Sequence, residues 1–251
     1  MREIAVTPSL HGLTGSIPAR DWQAIVAAAA AHWNDALESC CNVRLTVVAA
    51  QNRWVAAEDS VNLIVLRQGL WCHNEQCGHT STFPPNALAM TTVYPEGAKG
   101  ADLREADVEI SAKMLHAVPP DKLPKDLASQ ALITASGVWI IAPPNSDYPV
   151  LLESVLVHEV GHVLGLSDSC ASGHESGGPP RGCSADQIDR VMAPDAHQLR
   201  PTAADVAELQ RFYPLSFDWS HMWLWLSILI AGLLVLAAAI WRWSHEQATK
   251  S

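Results

Sequence analysis

The chain has 251 residues, a formal net charge of −10, and 17% charged against 49% apolar residues. That length can hold one sizeable core, or one core and an appendage. The acidic balance offers no basic stripe to displace counterions, which argues against nucleic acid as a partner and gives no attraction to anionic lipid.

In chain order, Met1–Thr7 has no apolar h-region for a secretory leader, and Glu3–Thr7 reads as a short strand. Pro18 opens a helical pattern to about Ser39, in which Trp22, Val26, Ala29, Trp33 and Leu37 recur at spacings of three and four. The alanine run between them favours helix. Val43–Val48 alternates as a strand does, and Val61–Leu66 is a continuous apolar run expected at the centre of a sheet. The opening order is therefore strand, helix, strand, strand. Gly69–Pro85 carries turn chemistry, and its His73 and His79 read as solvent-exposed loop residues. Val118–Pro149 is proline-rich and reads as a long connection with one short apolar piece at Val138–Ile141. Pro149 is expected at the amino end of the next helix, where its missing N–H costs little.

The six cysteines, Cys40, Cys41, Cys72, Cys77, Cys170 and Cys183, show no paired CxxC knuckles, so disulfides in an oxidising compartment are expected. Cys72–Cys77 and Cys170–Cys183 are the most local closures, although other pairings stay open. They leave adjacent Cys40 and Cys41, where a bridge would be strained and is not expected.

The chemistry concentrates in His158–Asp168, HEVGHVLGLSD. His158 and His162 are four apart, one turn above each other on a helix, and can take two corners of a zinc tetrahedron. Glu159 stands beside the first of them, where a carboxylate can accept a proton from water. Gly165 can adopt φ > 0, end the helix and swing the chain back, bringing Asp168 in as a third ligand. The fourth corner stays open, as in catalytic rather than structural zinc sites. His174 and His197 read as incidental, with His174 the first substitute should Asp168 not bind.

This HExxHxxGxxD string resembles the zinc signature of the metzincin metalloproteases, in particular bacterial-type matrixin-like catalytic domains. Val191-Met192-Ala193-Pro194 resembles their Met-turn, in which the Met192 thioether would pack beneath the metal. Pro201–Pro214 is similar to their last helix. Thr202 and Asp205 begin it as a capping pair, and Asp205 matches the family aspartate that hydrogen-bonds the Met-turn backbone. Ala87–Tyr94 and Glu105–Ser111 resemble the substrate-binding edge strand and its neighbour, so Leu88, Ala89 and Met90 would supply backbone contacts to an extended peptide. Ser169–Asp189 would form part of a pocket wall. The edge strand lacks the histidine of the structural zinc site in animal matrixins, so a second zinc is not expected. A structural calcium has no ligand set legible here. No cysteine-switch prosegment is present in the sequence.

Met222–Trp241 is 20 residues without a formal charge, about 30 Å as a helix, and enough for a bilayer core. Trp219, Trp223 and Trp225 flank one end and Trp241 and Trp243 the other. Arg242 and Lys250 follow the span and Asp218 precedes it, which puts the carboxy terminus in the cytoplasm and the rest outside the cell or in the periplasm.

The resemblance thus implies an α+β, zincin-like fold with a twisted mixed sheet of about five strands and three main helices, and the uncharged stretch at 222–241 adds one carboxy-terminal transmembrane helix. The expected divisions are a catalytic domain at 1–215, a linker at 216–221, the span at 222–241 and a short tail at 242–251. The expected activity is hydrolysis of protein or peptide substrates by one zinc ion held by His158, His162 and Asp168, with Glu159 as general base. A catalytically silent, membrane-anchored binding protein on the same fold is the alternative. Oligomeric state is not encoded in any motif.

Overall fold

The computed structural model describes residues 1–13, 15–76, 82–84, 87–96, 102–141, 149–170, 183–194, 198–215, 227–233 and 235. Two compact units divide the chain, Met1–Pro214 and Leu215–Ser251.

The first unit is α+β. Strand β1 (Arg2–Pro8) leads to helix α1 (Ala19–Leu37), then to β2 (Val43–Val47) and β3 (Asn62–Arg67), in the order that the periodicity predicts. Strands β4 (Ala89–Glu96) and β5 (Asp102–Ser111) complete a five-stranded sheet ordered β2-β1-β3-β5-β4. Its pairs are parallel except β4 with β5, so the sheet is mixed and β4 lies on an edge. Trp22, Val26, Ala29, Trp33 and Leu37 are all fully buried, as one apolar stripe on α1 requires. They share a core with Ile64, Val108 and Ile110 of the sheet and with Leu156 and Val160 of α3 (Leu152–Val163). Asn34 ties α1 to the sheet edge by accepting from Leu45 N–H (2.8 Å) and donating to Leu45 C=O (3.0 Å).

The opposite face of β5 is unlike that core. Glu105, Asp107 and Glu109 alternate with Ala106, Val108 and Ile110, and all six are buried. A pattern of alternating charge ordinarily marks a solvated face. Here the loops before β3 and after it close over the carboxylates. Backbone N–H groups and the Arg67 and His73 side chains meet five of their six oxygens, while Glu105 Oε1 is buried without a partner among the described residues. Asp107 accepts from Leu63 and Ala57 (both 2.8 Å), and Glu105 accepts from Asp59 and Ser60. Glu109 accepts from buried Arg67 Nε (2.6 Å) and Asn74 N–H (2.9 Å). His73 is half-buried, with Nδ1 2.7 Å from Glu109, and so is not the solvent-exposed residue expected of it; His79 lies outside the described residues.

A second, antiparallel sheet joins β6 (Leu115–Val118), β7 (Val138–Ile141) and β8 (Val150–Leu151) in that order. The apolar piece at Val138–Ile141 is thus the middle strand of a sheet, with the single-turn helix α2 (Lys125–Ala128) before it. Pro149 does not open α3; β8 intervenes, and Leu151 is the N-cap. The helix begins where the strand's pairing ends, with Ser154 Oγ donating to Leu151 C=O (2.8 Å). Among the described residues of this unit, the α-helices that follow are α4 (Ala185–Ile188), a single turn, and α5 (Ala203–Phe212).

Cys170 and Cys183 stand at disulfide distance, and so do the adjacent Cys40 and Cys41, contrary to expectation. The latter pair follows α1 at once, with the N–H groups of Cys40 and Cys41 both donating to Leu37 C=O (3.2 and 3.1 Å). Cys72 is disulfide-bonded, while Cys77 lies outside the described residues.

Most of the expected span at 222–241 also lies outside the described residues; 227–233 and 235 are helical. Among the described residues no helix is long and apolar enough to cross a membrane.

Candidate metal centre

Helix α3 presents His158 and His162 one turn apart, with ring centroids 4.9 Å from each other and planes at 87°. At its end Gly165 has φ +98°, a conformation that L side chains disfavour. Leu166 N–H donates to Gly161 C=O (3.0 Å) and Gly165 N–H to His162 C=O (2.9 Å). These two bonds are the Schellman closure that reverses a chain after a helix. The reversal carries Asp168 back over the histidines. Its Oδ1 lies 3.3 Å from His158 Nε2 and 3.4 Å from His162 Nε2. The three ligand atoms lie within 4.8 Å of one another, and the two histidines are partly buried while Asp168 is exposed.

The rings are held from behind. His158 Nδ1 is 2.8 Å from Val191 C=O, and His162 Nδ1 is 2.8 Å from Leu166 C=O. A carbonyl oxygen only accepts, so both Nδ1 atoms carry the proton and both Nε2 atoms face Asp168. Burial opposes charge on His162, but the Asp168 carboxylate, Glu159 and the Leu166 carbonyl outweigh it and push its pKa up to about 9. The same balance of burial against Asp168 and Glu159 raises His158. Burial alone would raise Asp168, yet the two imidazoles hold it well below the usual carboxylate range. Two imidazole nitrogens and a carboxylate oxygen so close together are a donor set that could hold a cation.

Met192 is buried beneath this turn of α3. A Cβ added at Gly161 would meet Met192 Sδ at 2.2 Å and Trp33 Cζ2 at 3.0 Å, so the thioether packs against the bare helix backbone between the two histidines. Val191 N–H donates to Asp205 Oδ2 (3.3 Å), and the same carboxylate oxygen accepts from Thr202 N–H (2.8 Å) in the capping box of α5. Asp205 therefore reaches His158 through one residue, Val191.

Glu159 is also buried, and Thr91 Oγ1 on β4 donates to its Oε2. Of the expected edge-strand residues, Leu88 turns its C=O inward to Ser111 N–H (2.9 Å). Antiparallel pairs alternate inward and outward, so the outward backbone groups of β4 belong to Ala89 and Thr91, and Met90 turns inward with Leu88.

Three further contributors lie outside the expected site residues. Thr91 is one. Trp33 is another, since its Nε1–H donates to Val157 C=O (2.7 Å) just before the first histidine. The third is Gln187, which exchanges bonds with Ser169 (2.8 and 3.0 Å) and anchors the chain after Asp168 to α4. Only Gln187 had a readable signal, the Ser184-x-x-Gln187 capping box. His174 and His197 lie outside the described residues. A cavity of about 320 Å³ lined by Arg2, Ile4, Asn62, Val163 and Tyr213 contains none of these groups.

Comparison of the chain with protein-family profiles and with curated protein sequences finds no match.

Proposed function

We propose that the chain is a zinc-dependent endopeptidase of the metzincin, matrixin-like kind, anchored to a membrane by its carboxy-terminal apolar stretch. The observation that carries this reading is the convergence of His158 Nε2, His162 Nε2 and the Asp168 carboxylate within 4.8 Å, beside buried Glu159. Two imidazole nitrogens and one carboxylate oxygen are a donor set that fits zinc with a position to spare. Bound there, zinc would supply Lewis acidity toward a scissile carbonyl and lower the pKa of water. With Asp168 in place of a third imidazole, the residues would leave less net positive charge at a bound zinc and so would lower the pKa of water less.

The chain's own residues do the rest. Val191 and Leu166 carbonyls fix the imidazole tautomers so that only Nε2 is offered. Glu159 accepts the proton of the attacking water and returns it to the leaving amine. An extended peptide adds as a strand along β4, held by the outward backbone groups of Ala89 and Thr91. The substrate is thus a protein or peptide segment that can be drawn out straight. The uncharged stretch at 222–241, with tryptophans at both ends, supports the anchor. Its flanking charges support a cytoplasmic carboxy terminus with the peptidase on the other side.

The test compares cleavage of casein and mixed peptides by the full chain and by Glu159→Ala, with zinc quantified in both. The expected result is cleavage by the parent alone, with equal zinc in each. Hydrolysis by Glu159→Ala would remove Glu159 as the base. Stoichiometric zinc without cleavage by the parent would favour a binding protein, and a chain that takes up no zinc would refute the reading at its centre.

A further inference from the structure

We propose that Thr91 is a positioning residue for the general base, and that its hydroxyl sets the carboxylate of Glu159 for proton transfer; this rests on the peptidase reading above. Side chains alternate along β4, and the register places Ala89, Thr91 and Val93 opposite Ile110, Val108 and Ala106. Those three β5 residues are buried in the core shared with α3, so Thr91 lies on the face of the sheet that α3 covers. There its Oγ1 donates to Glu159 Oε2, and among the described residues it is the hydrogen-bond donor that reaches this buried carboxylate.

A glutamate turns about three side-chain bonds, and only some of its rotamers aim an oxygen at the neighbouring site. A donor on one oxygen selects a rotamer and leaves Oε1 as the free acceptor. Threonine suits that task. Its branched Cβ stiffens χ1, so the hydroxyl's direction follows from the strand backbone. The same residue turns its N–H and C=O outward along the sheet edge, where an extended substrate would add. Docking of the peptide and alignment of the base are then coupled through a single residue.

If the hydroxyl served only to satisfy a buried carboxylate, its loss would lower stability and leave the chemical step alone. The full zinc-loaded chain is therefore assayed as Thr91→Val, Thr91→Ala and Thr91→Ser, with kcat, KM, zinc content and Tm measured for each. Val and Ala, which lack the donor, should lower kcat by roughly 10- to 100-fold with KM within about twofold and zinc unchanged, the scale of a misaligned catalytic group. Ser should recover most of that loss. Adding Thr91→Val to Glu159→Ala should change the residual rate no further, since nothing remains to position. A parent-like kcat in Val and Ala, or an equal loss in Val, Ala and Ser, would overturn the inference while the peptidase reading stood. A parent that binds zinc and cleaves nothing would overturn both.

Discussion

Gly161 is the x of HExxH nearest the methionine, and its lack of a side chain is what admits Met192. An added methyl would meet Sδ at 2.2 Å in a space closed behind by Trp33. Met192 is 2% exposed and has little room to retreat. Gly161→Ala should therefore destabilise the protein by about 1–3 kcal/mol, the usual cost of overpacking, despite alanine's better helix propensity. Adding Met192→Ala should recover part of that loss, because the two side chains compete for one volume. Urea unfolding of the two single variants and the double variant measures the coupling; simple additivity would show that the methionine does not rest on Gly161.

At the scale of elements, β5 separates two kinds of interior. One face is apolar and supports α1 and α3, while the other holds carboxylates under backbone N–H groups. Burial, with the neighbouring charges of Glu105 and Glu109, pushes Asp107 up to about 7, against the lowering effect of its bonds from Leu63 and Ala57. The folded protein thus holds this proton more tightly than the unfolded chain between about pH 4 and pH 7. The stability contributed by the protonated group is complete below the unfolded value of 3.8 and is lost as pH rises through about 7. In Asp107→Asn that decline should flatten. Urea midpoints of parent and variant across this range test it, and parallel curves would refute it.

This strand also shows why some elements were legible and others not. The stripe of α1, the apolar run of β3 and the capping pair of α5 each carry a periodicity or motif that survives without tertiary context. Helix α3 and the return of Asp168 were legible because Gly165 marks the reversal and fixed chain length sets its reach. The carboxylates of β5 were not, because alternating charge looks the same under water or under a loop. Strands β6 and β8, four and two residues long, are too short to show a period. Pro149 was misplaced for that reason. Thr91 meets Glu159 across 68 positions of sequence, and nothing beside it announces the contact.

For the whole molecule, the three residues proposed to hold zinc join the end of α3 to the chain beyond it, so a bound ion would tie tertiary structure together. A cation at about 100 times its dissociation constant adds about 2.7 kcal/mol to stability. In a domain near two hundred residues that corresponds to a Tm shift of about 5–10 °C. Chelation should lower the parent's Tm by this amount and barely change that of Asp168→Ala. An unchanged Tm in the parent would argue against a site that senses the metal.

The cysteines at 170 and 183 stand just after Asp168 and just before the capping box of α4. A covalent tie at that place turns the intervening sequence into a side branch of the main path. Tension along the chain would pass from Asp168 to α4 across the two sulfurs, with Ser169 and Gln187 alongside. Lengthening, shortening or exchanging that sequence would then exert little pull on Asp168. An evolving lineage could use it as an interchangeable cassette while the fold about Asp168 stayed still.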